Sequence, residues 1–357
     1  MYAQKLASGK WRVWVKHGGQ VRTVTADTRT QAMLDAAEVR MAMSDVGDRS
    51  GGTITVLELL TYHLASKAPD LSPTTLAEYV RVIEALDDDF SSLPIKGLRS
   101  PDLTTLYDHL LRYGWSVGAV RRLHELMHAA WRHTAIYKGW AVINPASSAR
   151  PPKRTPYTIQ PPETATLRQL FDAADDQFRL YLRLSANTGA RRGELVGLRW
   201  DDIDLDTGEL RIFRSVVYTA DSGIVERPTK TGKRGQRRIT VAAAILPMLE
   251  KHRIGQRERL HDEPLYIFSD TAGVTHWHPD TPTRMFAALR TRAGIQGVRL
   301  HDLRHYTATQ MLAAGQTAVQ VAGRLGHADP RTTLSVYAHW IPATDRAAAD
   351  DLDRGLE

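Results

Sequence analysis

The feature that most constrains the fold of this chain is a proline-rich stretch, NPASSARPPKRTPYTIQPPE, at residues 144–163. It holds six prolines. Proline lacks an amide donor and disfavours the helical conformation in the residue before it, so such a run is extended and rather stiff. We therefore expect a linker at residues 147–162 that separates two regions of different structure. A length of 357 residues also favours two or three domains over a single core.

The overall charge narrows the class of partner. The chain carries 47 Lys and Arg against 40 Asp and Glu, a formal net charge of +7. This favours a polyanion such as nucleic acid but also fits a merely soluble basic protein. The absence of cysteine excludes disulfides, thiolate catalysis and cysteine-ligated metals. No run is long enough to cross a bilayer, and the N-terminus lacks the apolar block of a secretory signal, so we expect a cytoplasmic protein without a membrane partner.

The first fifty residues show a strand pattern followed by a helix pattern. In KWRVWVK the residues at 11, 13 and 15 are apolar and alternate with polar or aromatic ones, and HGGQ after them indicates a hairpin turn. A helix is predicted at 28–43 and a flexible joint at 45–52. Residues 1–50 are thus predicted to form a small strand/helix module. Its polar strand face would contact DNA or simply be solvated, and the candidate residues are Arg12, Lys16 and Arg22.

Residues 51–146 are predicted to form a four-helix domain. TVLELLTYHLA, SPTTLAEYVRVIEAL and SPDLTTLYDHLL are separated by turn signals, and the last two open with Ser-Pro helix starts. A fourth helix at 117–138 carries apolar residues along one face. Four amphipathic helices of this length can enclose a packed interior.

Beyond the linker, residues 163–357 mix the two kinds of pattern. Strand-like segments at 209–217, 224–228 and 236–241 lie among many helices, and the last two segments flank the loop TKTGKRG. The chain as a whole is therefore predicted to be a multidomain α+β protein. It would combine the strand/helix module, the four-helix domain and a mixed, mainly helical domain with a small antiparallel sheet.

Four stretches of the last region stand out by their order and spacing: NTGARRGELVGLRWDDID (187–204), PTKTGKRGQRRI (228–239), LHDLRHYTATQMLAAG (300–315) and LGHADPRTTLSVYAH (325–339). Together they resemble the catalytic boxes of the tyrosine recombinase family, phage integrase type. The helical domain resembles the family's core-site DNA-binding domain, and residues 1–50 resemble the arm-site domain of larger phage integrases. The resemblance implies a homotetramer acting on double-stranded DNA at core and arm attachment sites. A directionality factor or a host DNA-bending protein would be a further partner.

The resemblance also assigns the phosphate clamp and the nucleophile. Arg191, in T-G-x-R, and Arg304, in H-x-x-R, would bind the scissile phosphate, because guanidinium groups hold a phosphate bidentately and keep their protons. Tyr337 would attack phosphorus and form a 3′-phosphotyrosine bond. Since that bond stores the energy for rejoining, the reaction implies neither a metal ion nor a nucleotide cofactor.

Proton transfer and support are assigned to further residues of the boxes. His301 would accept the tyrosine proton, and His327 would hydrogen-bond the phosphate. Lys230 would protonate the departing 5′-oxygen, with Lys233 as the alternative. Glu194 would orient the arginine helix by hydrogen bonding. Two neighbours of Arg304 are expected to serve the structure rather than the chemistry: His305 and Tyr306.

The string HELMH at residues 124–128 matches the zinc-peptidase signature H-E-x-x-H. A catalytic zinc needs a third ligand. The extended zinc-peptidase motif would have glycine at position 131 and a third histidine at position 134, but the chain has Trp131 and Thr134. The two histidines instead fall on a polar stripe of the fourth helix, and such a stripe either is solvated or rests against DNA phosphates. We therefore predict no metal site. The DNA-binding candidates of this region and of the linker are Arg121, His124, His128, Arg132, Lys153 and Arg154.

The sequence therefore predicts a site-specific DNA recombinase that integrates or excises a phage or another mobile element. A Xer-like dimer resolvase is the nearest alternative, although the strand-rich first fifty residues argue against it. A DNA-binding regulator without catalysis is a second alternative, but it would have no use for the full set of active-site residue types. A zinc hydrolase is the third.

Overall fold

The computed structural model describes residues 2–17, 19–44, 54–154, 160–219, 223–229, 235–270, 273 and 275–337. These residues form two compact units, one made by the residues up to 154 and the other by nearly all of those from 160 onward. Each unit has its own buried apolar core. The first unit contains both of the parts predicted at 1–50 and 51–146, so the three-part division stays a prediction. Within the predicted linker, residues 155–159 lie outside the described part.

The first unit combines a three-stranded sheet with a helical bundle. Its sheet is antiparallel with the order β1-β2-β3, and α6 continues as a π-helical segment at Trp131–Ala135. The sequence predicted uninterrupted α-helix to residue 138. The elements are β1 Tyr2–Lys5, β2 Trp11–His17, β3 Gln20–Ala26, α1 Arg29–Ser44, α2 Val56–Lys67, α3 Pro73–Glu84, α4 Asp88–Ser91, α5 Ser100–Arg112 and α6 Val117–Ala130.

The two faces of the N-terminal sheet differ from the prediction at one residue. Val13 and Val15 are buried and pack with residues of α1, as the alternation in β2 predicts. Arg22, however, stands directly opposite Val15 in the β2–β3 pair, and opposite residues of an antiparallel pair point to the same side of the sheet. Assigning Arg22 to the polar face was therefore wrong: it is exposed but lies on the α1 side. Arg12 and Lys16 occupy the other face, as predicted.

Helix α1 also packs on the helical bundle of the same unit. Leu34 belongs to the apolar core formed by the bundle. Arg29 Nε lies 3.0 Å from a carboxylate oxygen of Glu84 in α3, and Arg40 pairs with Glu58 in α2. The N-terminal sheet is thus attached through a packed helix. The predicted joint at 45–52 lies outside the described residues.

Several helices begin where the sequence signals predict. The hydroxyl of Ser72 accepts a hydrogen bond from the backbone amide of Thr75 at 3.1 Å, which starts α3 just before Pro73. Helix α5 begins one residue earlier than its Ser-Pro pair predicts. Arg99 takes the cap position, and its backbone amide donates to the carboxylate of Asp102 at 2.8 Å.

The second unit is mainly helical. It holds two separate two-stranded sheets, β4 with β7 and β5 with β6, where the sequence predicted one small sheet. The loop between β6 and β7 includes residues 230–234, which are not described. The elements are α7 Thr164–Ala173, α8 Asp176–Thr188, α9 Arg192–Val196, β4 Glu209–Ile212, β5 Arg214–Thr219, β6 Gly223–Pro228, β7 Arg237–Thr240, α10 Leu246–Leu260, α11 Thr281–Arg292, α12 Asp302–Ala313, α13 Ala318–Leu325 and α14 Pro330–Tyr337.

The coarse fold prediction is confirmed: the protein is mainly helical with small antiparallel sheets. Among the residues that the structure describes, no helix combines the length and the apolar character needed to span a membrane.

Candidate active site

The turn that presents Arg191 depends on a glycine. Helix α8 ends at Gly189 in the left-handed conformation, with φ at +62°, which only glycine adopts without strain. A Cβ atom at this position would lie 2.3 Å from Cδ2 of Leu325. The tight turn brings Arg191 to the cap position of the short helix α9. The T-G-A-R string of the sequence is thus the end of one helix and the start of the next.

Glu194 is hydrogen-bonded to Arg191 through both of its carboxylate oxygens. One carboxylate oxygen accepts from Arg191 Nη1 and the other from the Arg191 backbone amide, both at 2.8 Å. A second guanidinium group, that of Arg237, donates to the same carboxylate at 2.8 Å. Burial by itself would raise the pKa of Glu194, but Arg237 and then Arg191 outweigh it and hold that pKa below its usual range. Glu194 is therefore an ionised carboxylate shared by two arginines.

Arg304 lies in α12 with only 4% of its surface exposed. Its Nη1 donates to the carbonyl of Gly189, which ties α12 to the Arg191 turn. Its Nη2 is buried and has no hydrogen-bond partner among the residues that the structure describes. Burial and the positive charge of Arg191 lower the pKa of Arg304 to about 9, which still leaves it charged at neutral pH. A buried cation with an unused donor is suited to an anionic ligand.

His327 follows α13 in the turn before α14. Its Nδ1 is 2.8 Å from the hydroxyl of Thr333, so the other ring nitrogen remains available to a ligand. Burial lowers the pKa of His327 to about 4, and the charges of Arg304 and Arg191 add to the shift. The imidazole is neutral at neutral pH. The carbonyl of the preceding residue, Gly326, accepts from Nη2 of Arg191 at 3.4 Å, so the turn that carries His327 contacts the Arg191 side chain.

Tyr337 ends the described part of α14 and is 2% exposed. Its ring packs in a small apolar cluster with residues of α12 and α13. Burial raises the pKa of its phenol to about 12, although Arg304 pulls the value down. The hydroxyl lies 2.5 Å from Nδ1 of His305. The phenol is therefore protonated in the free protein and already hydrogen-bonded to a base.

The structure shows which of the two histidines at the start of α12 contacts Tyr337 in the free protein, while the role of His301 as the proton acceptor stays a prediction. His305, which was expected to serve the structure, contacts the hydroxyl of Tyr337. His301, the predicted proton acceptor, is exposed at the start of the helix, and its ring stands edge-on to that of His305 at a centroid distance of 5.1 Å. His301 is exposed as a residue, but its ring is partly shielded by its neighbours, and loss of hydration lowers the pKa of both rings, that of His301 to about 4. The two imidazoles thus form a neutral pair beside the tyrosine.

Arg237 is the site residue that reasoning from the sequence missed. It opens β7, is 8% exposed and contacts Glu194, whereas its neighbour Arg238 is exposed. The signal was present in the string RRIT: residues two apart in a strand share a face, so Arg237 lies on the side of the buried Ile239.

Lys230 and Lys233 lie outside the described residues, so the prediction of the general acid stays a prediction. The described residue before the gap, Thr229, is buried. It follows β6, and β7 begins shortly after the gap. The two lysines therefore belong to the chain between β6 and β7, the strand that carries Arg237.

The polar stripe of α6 is only partly available to solvent or DNA. His124 is half-buried, and its Nδ1 lies 3.0 Å from the hydroxyl of the buried Tyr107. Arg121 donates to the carbonyl of Pro152 at 2.9 Å. His128 is also half-buried, while Arg132 is exposed and lies in the π-helical segment. Two of the four residues of the predicted stripe, Arg121 and His124, therefore form hydrogen bonds within the first unit.

The described residues contain no group of three or more His, Cys, Asp or Glu side chains that could hold a metal ion. The other predicted DNA-binding residues of the first unit lie at its surface. Lys16, Lys153 and Arg154 are exposed, and Arg12 is partly so. Arg154 stands 3.7 Å from the carboxylate of Glu125, a loose and solvated pair.

Comparison with known proteins places this site in a family. Residues 163–343 match the phage integrase family. The chain is 26% identical over 379 aligned positions to the ICEBs1 integrase of Bacillus subtilis strain 168, an alignment that covers 99% of both chains. It is 30% identical over 235 residues to a putative prophage phiRv2 integrase of Mycobacterium tuberculosis, covering 66% of this chain and 60% of that one.

Solved structures of integrases share the fold. The Tn1549 transposon integrase in complex with a circular intermediate DNA superposes with a TM-score of 0.72 at 19% identity, covering 84% of this chain and 99% of that one. A lambda integrase dimer bound to a COC′ core site gives 0.61 at 17% identity, covering 95% and 94%. The match of the second unit to the family shows that this chain belongs to the phage integrase family of tyrosine recombinases, and it is a site-specific DNA strand transferase that integrates or excises mobile elements.

Proposed function

We propose that the chain cleaves DNA by attack of the Tyr337 hydroxyl on a phosphodiester, forms a 3′-phosphotyrosine bond and reseals the strand in a second transfer. The observation that carries this proposal is the convergence of the tyrosine, a neutral histidine pair and a buried arginine with an unused donor within one unit. No single member of this set would distinguish the site from an ordinary ion-pair network. Their combination fits phosphoryl transfer.

The phosphate clamp consists of Arg191, Arg304 and His327. The unused Nη2 of Arg304 offers a donor to a non-bridging oxygen, and His327 offers its second ring nitrogen. Negative charge builds up on the non-bridging oxygens during attack, and fixed donors that meet this charge do not have to reorganise. Each such donor typically contributes ~3 kcal/mol to the transition state.

Tyrosine activation begins with the hydrogen bond from Tyr337 to His305. As the phenol oxygen bonds to phosphorus, its proton passes to the histidine pair, with His305 in contact and His301 next to it at the solvent side. The bond from phosphorus to the 5′-oxygen breaks, and that oxygen takes a proton from Lys230. In the reverse step a 5′-hydroxyl attacks the phosphotyrosine, so the number of phosphoester bonds is conserved and neither a metal ion nor a nucleotide is consumed.

DNA binding outside the active site is shared between two parts of the chain. We assign residues 51–146 to core sites and residues 1–50 to arm sites, with the sheet face of Arg12 and Lys16 as the arm-contacting surface. The lambda integrase has been captured as a tetramer bound to a Holliday junction, and its fold is shared over 91% of this chain. By that analogy the active form is a homotetramer, assisted by a directionality factor or a DNA-bending protein of the host cell.

A Xer-like resolvase is the second candidate. A XerC-like tyrosine recombinase of Caldanaerobacter subterraneus is 25% identical over 291 residues. The packed N-terminal sheet and α1 favour the integrase, because the similarity to the ICEBs1 integrase runs over the whole chain. Excision and integration assays on the element's own ends, against dimer resolution, would separate the two functions.

The catalytic proposal is tested by Tyr337→Phe. The substrate is a nicked duplex with the end-junction sequence of the element that encodes the chain, and the covalent adduct is measured on a denaturing gel. We expect unchanged DNA affinity and no adduct, because only the attacking oxygen is lost.

Tyr306→Phe is the matched control for this experiment. Tyr306 lies in α12 close to the site, but its hydroxyl is 3.2 Å from that of Thr164 and away from the clamp. This variant should form the adduct at the normal rate. An adduct that persists in Tyr337→Phe, or that disappears in Tyr306→Phe instead, would contradict the assignment of the nucleophile.

A further inference from the structure

Arg237 is bound to the protein through all three of its guanidinium nitrogens. Its Nη2 donates to Glu194 at 2.8 Å, its Nε to the carbonyl of Arg324 at 2.7 Å and its Nη1 to the carbonyl of Gly235 at 3.2 Å. The side chain is buried. A group held in this way does not reach a substrate phosphate, so any part that it plays must act through its neighbours.

The first of these neighbours is Glu194, which is 1% exposed and also holds Arg191. If Arg237 were absent, the carboxylate and Arg191 would form a closed ion pair of zero net charge. The attraction of Arg191 for a phosphate would then be largely cancelled, since both charges would stand at nearly the same distance from the anion. With Arg237 present, the carboxylate has a second cation, and the group of three retains a net positive charge.

The second neighbour is the turn that carries His327. Gly326 has φ at +71°, and a Cβ atom there would stand 2.7 Å from Nη1 of Arg237. The carbonyl of Gly326 accepts from Nη2 of Arg191 at 3.4 Å. Arg237 bonds the carbonyl of Arg324 just before this turn and Arg191 bonds the carbonyl of Gly326 within it, so both arginines hold the chain that leads to His327.

We propose that Arg237 is a positioning residue for strand cleavage: it shares the charge of Glu194 so that Arg191 stays available to the phosphate, and it anchors the turn of His327. This inference rests on the proposed function, because it concerns the clamp that Arg191 and His327 form there. It adds a residue that never touches the DNA, and the effect that it exerts on Arg191 is electrostatic.

The test is a double-mutant cycle between Arg237→Met and Glu194→Gln. The rate of adduct formation is measured in single turnover at saturating DNA, together with the dissociation constant for DNA and the melting temperature of each variant. Methionine has about the length of the arginine stem without the charge. We expect Arg237→Met to slow adduct formation by at least ~10-fold, which corresponds to ~1.4 kcal/mol in the barrier, while DNA affinity changes far less.

The double variant distinguishes the electrostatic effect from packing. Removing the carboxylate charge with Glu194→Gln should make the further loss of Arg237 much less harmful, so the double variant should react about as fast as Glu194→Gln alone and faster than Arg237→Met. Arg237→Lys, which keeps the charge but loses the fork of donors, should fall between the wild type and Arg237→Met. It also provides a readout if the methionine variant folds poorly.

Arg214→Met is the control for losing a partly buried arginine in the same unit. Arg214 pairs with Asp202 and, at 2.9 Å, with Glu226. Its loss should lower the melting temperature and leave the rate of adduct formation unchanged. If the effects of Arg237→Met and Glu194→Gln simply multiply, or if Arg237→Met changes only the melting temperature, the inference is overturned while the wild-type adduct still supports the proposed function. A wild type that forms no adduct would overturn both.

Discussion

Both units bury ionisable side chains, but they surround them in opposite ways. In the first unit His63 is 5% exposed and its Nδ1 lies 2.8 Å from the hydroxyl of the equally buried Thr134. In the second unit Arg304 is 4% exposed and keeps an unused donor among the described residues. Burial, with help from His133 and Lys67, lowers the pKa of His63 to about 4, so the imidazole stays neutral. Arg304 remains charged.

The difference indicates what each buried group is for. A neutral, hydrogen-bonded histidine in an apolar core adds to the stability of the helices that it joins. A buried cation without a full set of partners costs free energy unless a ligand completes it. The first unit also contains buried guanidinium nitrogens without a hydrogen-bond partner among the described residues, such as Nε of Arg12 and Arg121, but those side chains are partly exposed. Arg304 differs because the whole side chain is buried, at the site where a phosphate would lower the electrostatic cost.

Among the variants that compare the two units, Arg304→Gln should give the largest effect, and it directly tests the interpretation of the second unit. We expect adduct formation to slow by ~10²–10³-fold, the usual effect of losing one preorganised donor to a developing oxyanion. The free energy of unfolding should stay the same or increase, because a buried cation is removed. Single-turnover cleavage and denaturant unfolding of the same preparation measure the two quantities. A clear decrease in the free energy of unfolding of this variant would contradict the view that Arg304 serves the ligand rather than the stability of the fold.

His63→Ala tests the interpretation of the first unit. It should lower the stability and leave the activity unchanged. The loss of the ring leaves the hydroxyl of Thr134 unpaired and creates a cavity, which together should cost ~2–3 kcal/mol of unfolding free energy. Adduct formation measured well below the unfolding transition should be unchanged. Thr134→Val is the matched control, since it removes the hydroxyl at nearly constant volume and should destabilise less.

The difference in unfolding free energy between the wild type and His63→Ala should depend on pH, which gives a sharper test. His63 in the unfolded chain titrates near its usual pKa of about 6.5, and in the folded protein near 4. Because the unfolded state binds the proton first, the stability from His63 is complete above about pH 6.5 and is lost as the pH falls toward 4. The gap in stability between the wild type and His63→Ala should therefore narrow over this interval. A gap that stays constant would show that His63 is not held neutral.

The parts of this structure that could be predicted from sequence are those set by short-range rules. Helix starts such as Ser72-Pro73 and the left-handed Gly189 before Arg191 follow from backbone sterics and capping, and the structure shows both. Register across a turn is different. Arg22 was assigned to the wrong sheet face because a count along the chain does not fix which residues of β2 and β3 stand opposite each other.

The site itself was predictable in its residue types and less so in its contacts. The order of the boxes pointed to Arg191, Arg304 and Tyr337, and the family match confirms the class of enzyme. Which of two histidines one helical turn apart contacts Tyr337 depends on how α14 packs on α12, and that packing is set by an apolar cluster drawn from three helices. No local pattern in the sequence contains this information.

The smallest effects are expected at HELMH, where the comparison of the two units can be extended to a pair of histidines on one helix. His124 bonds to the buried hydroxyl of Tyr107 and His128 lies one turn further along. His124→Ala should cost ~1 kcal/mol of stability, the value of one hydrogen bond to a buried group, and His128→Ala should cost less.

Neither variant should change adduct formation, and excess EDTA should leave the wild type active, since arginines meet the phosphate charge. DNA affinity should fall at most slightly, and more at low salt than at high salt. Stoichiometric zinc in protein purified without a metal-binding tag, lost on His124→Ala, would instead make this helix a metal site and end the contrast between a packed first unit and a charged second one.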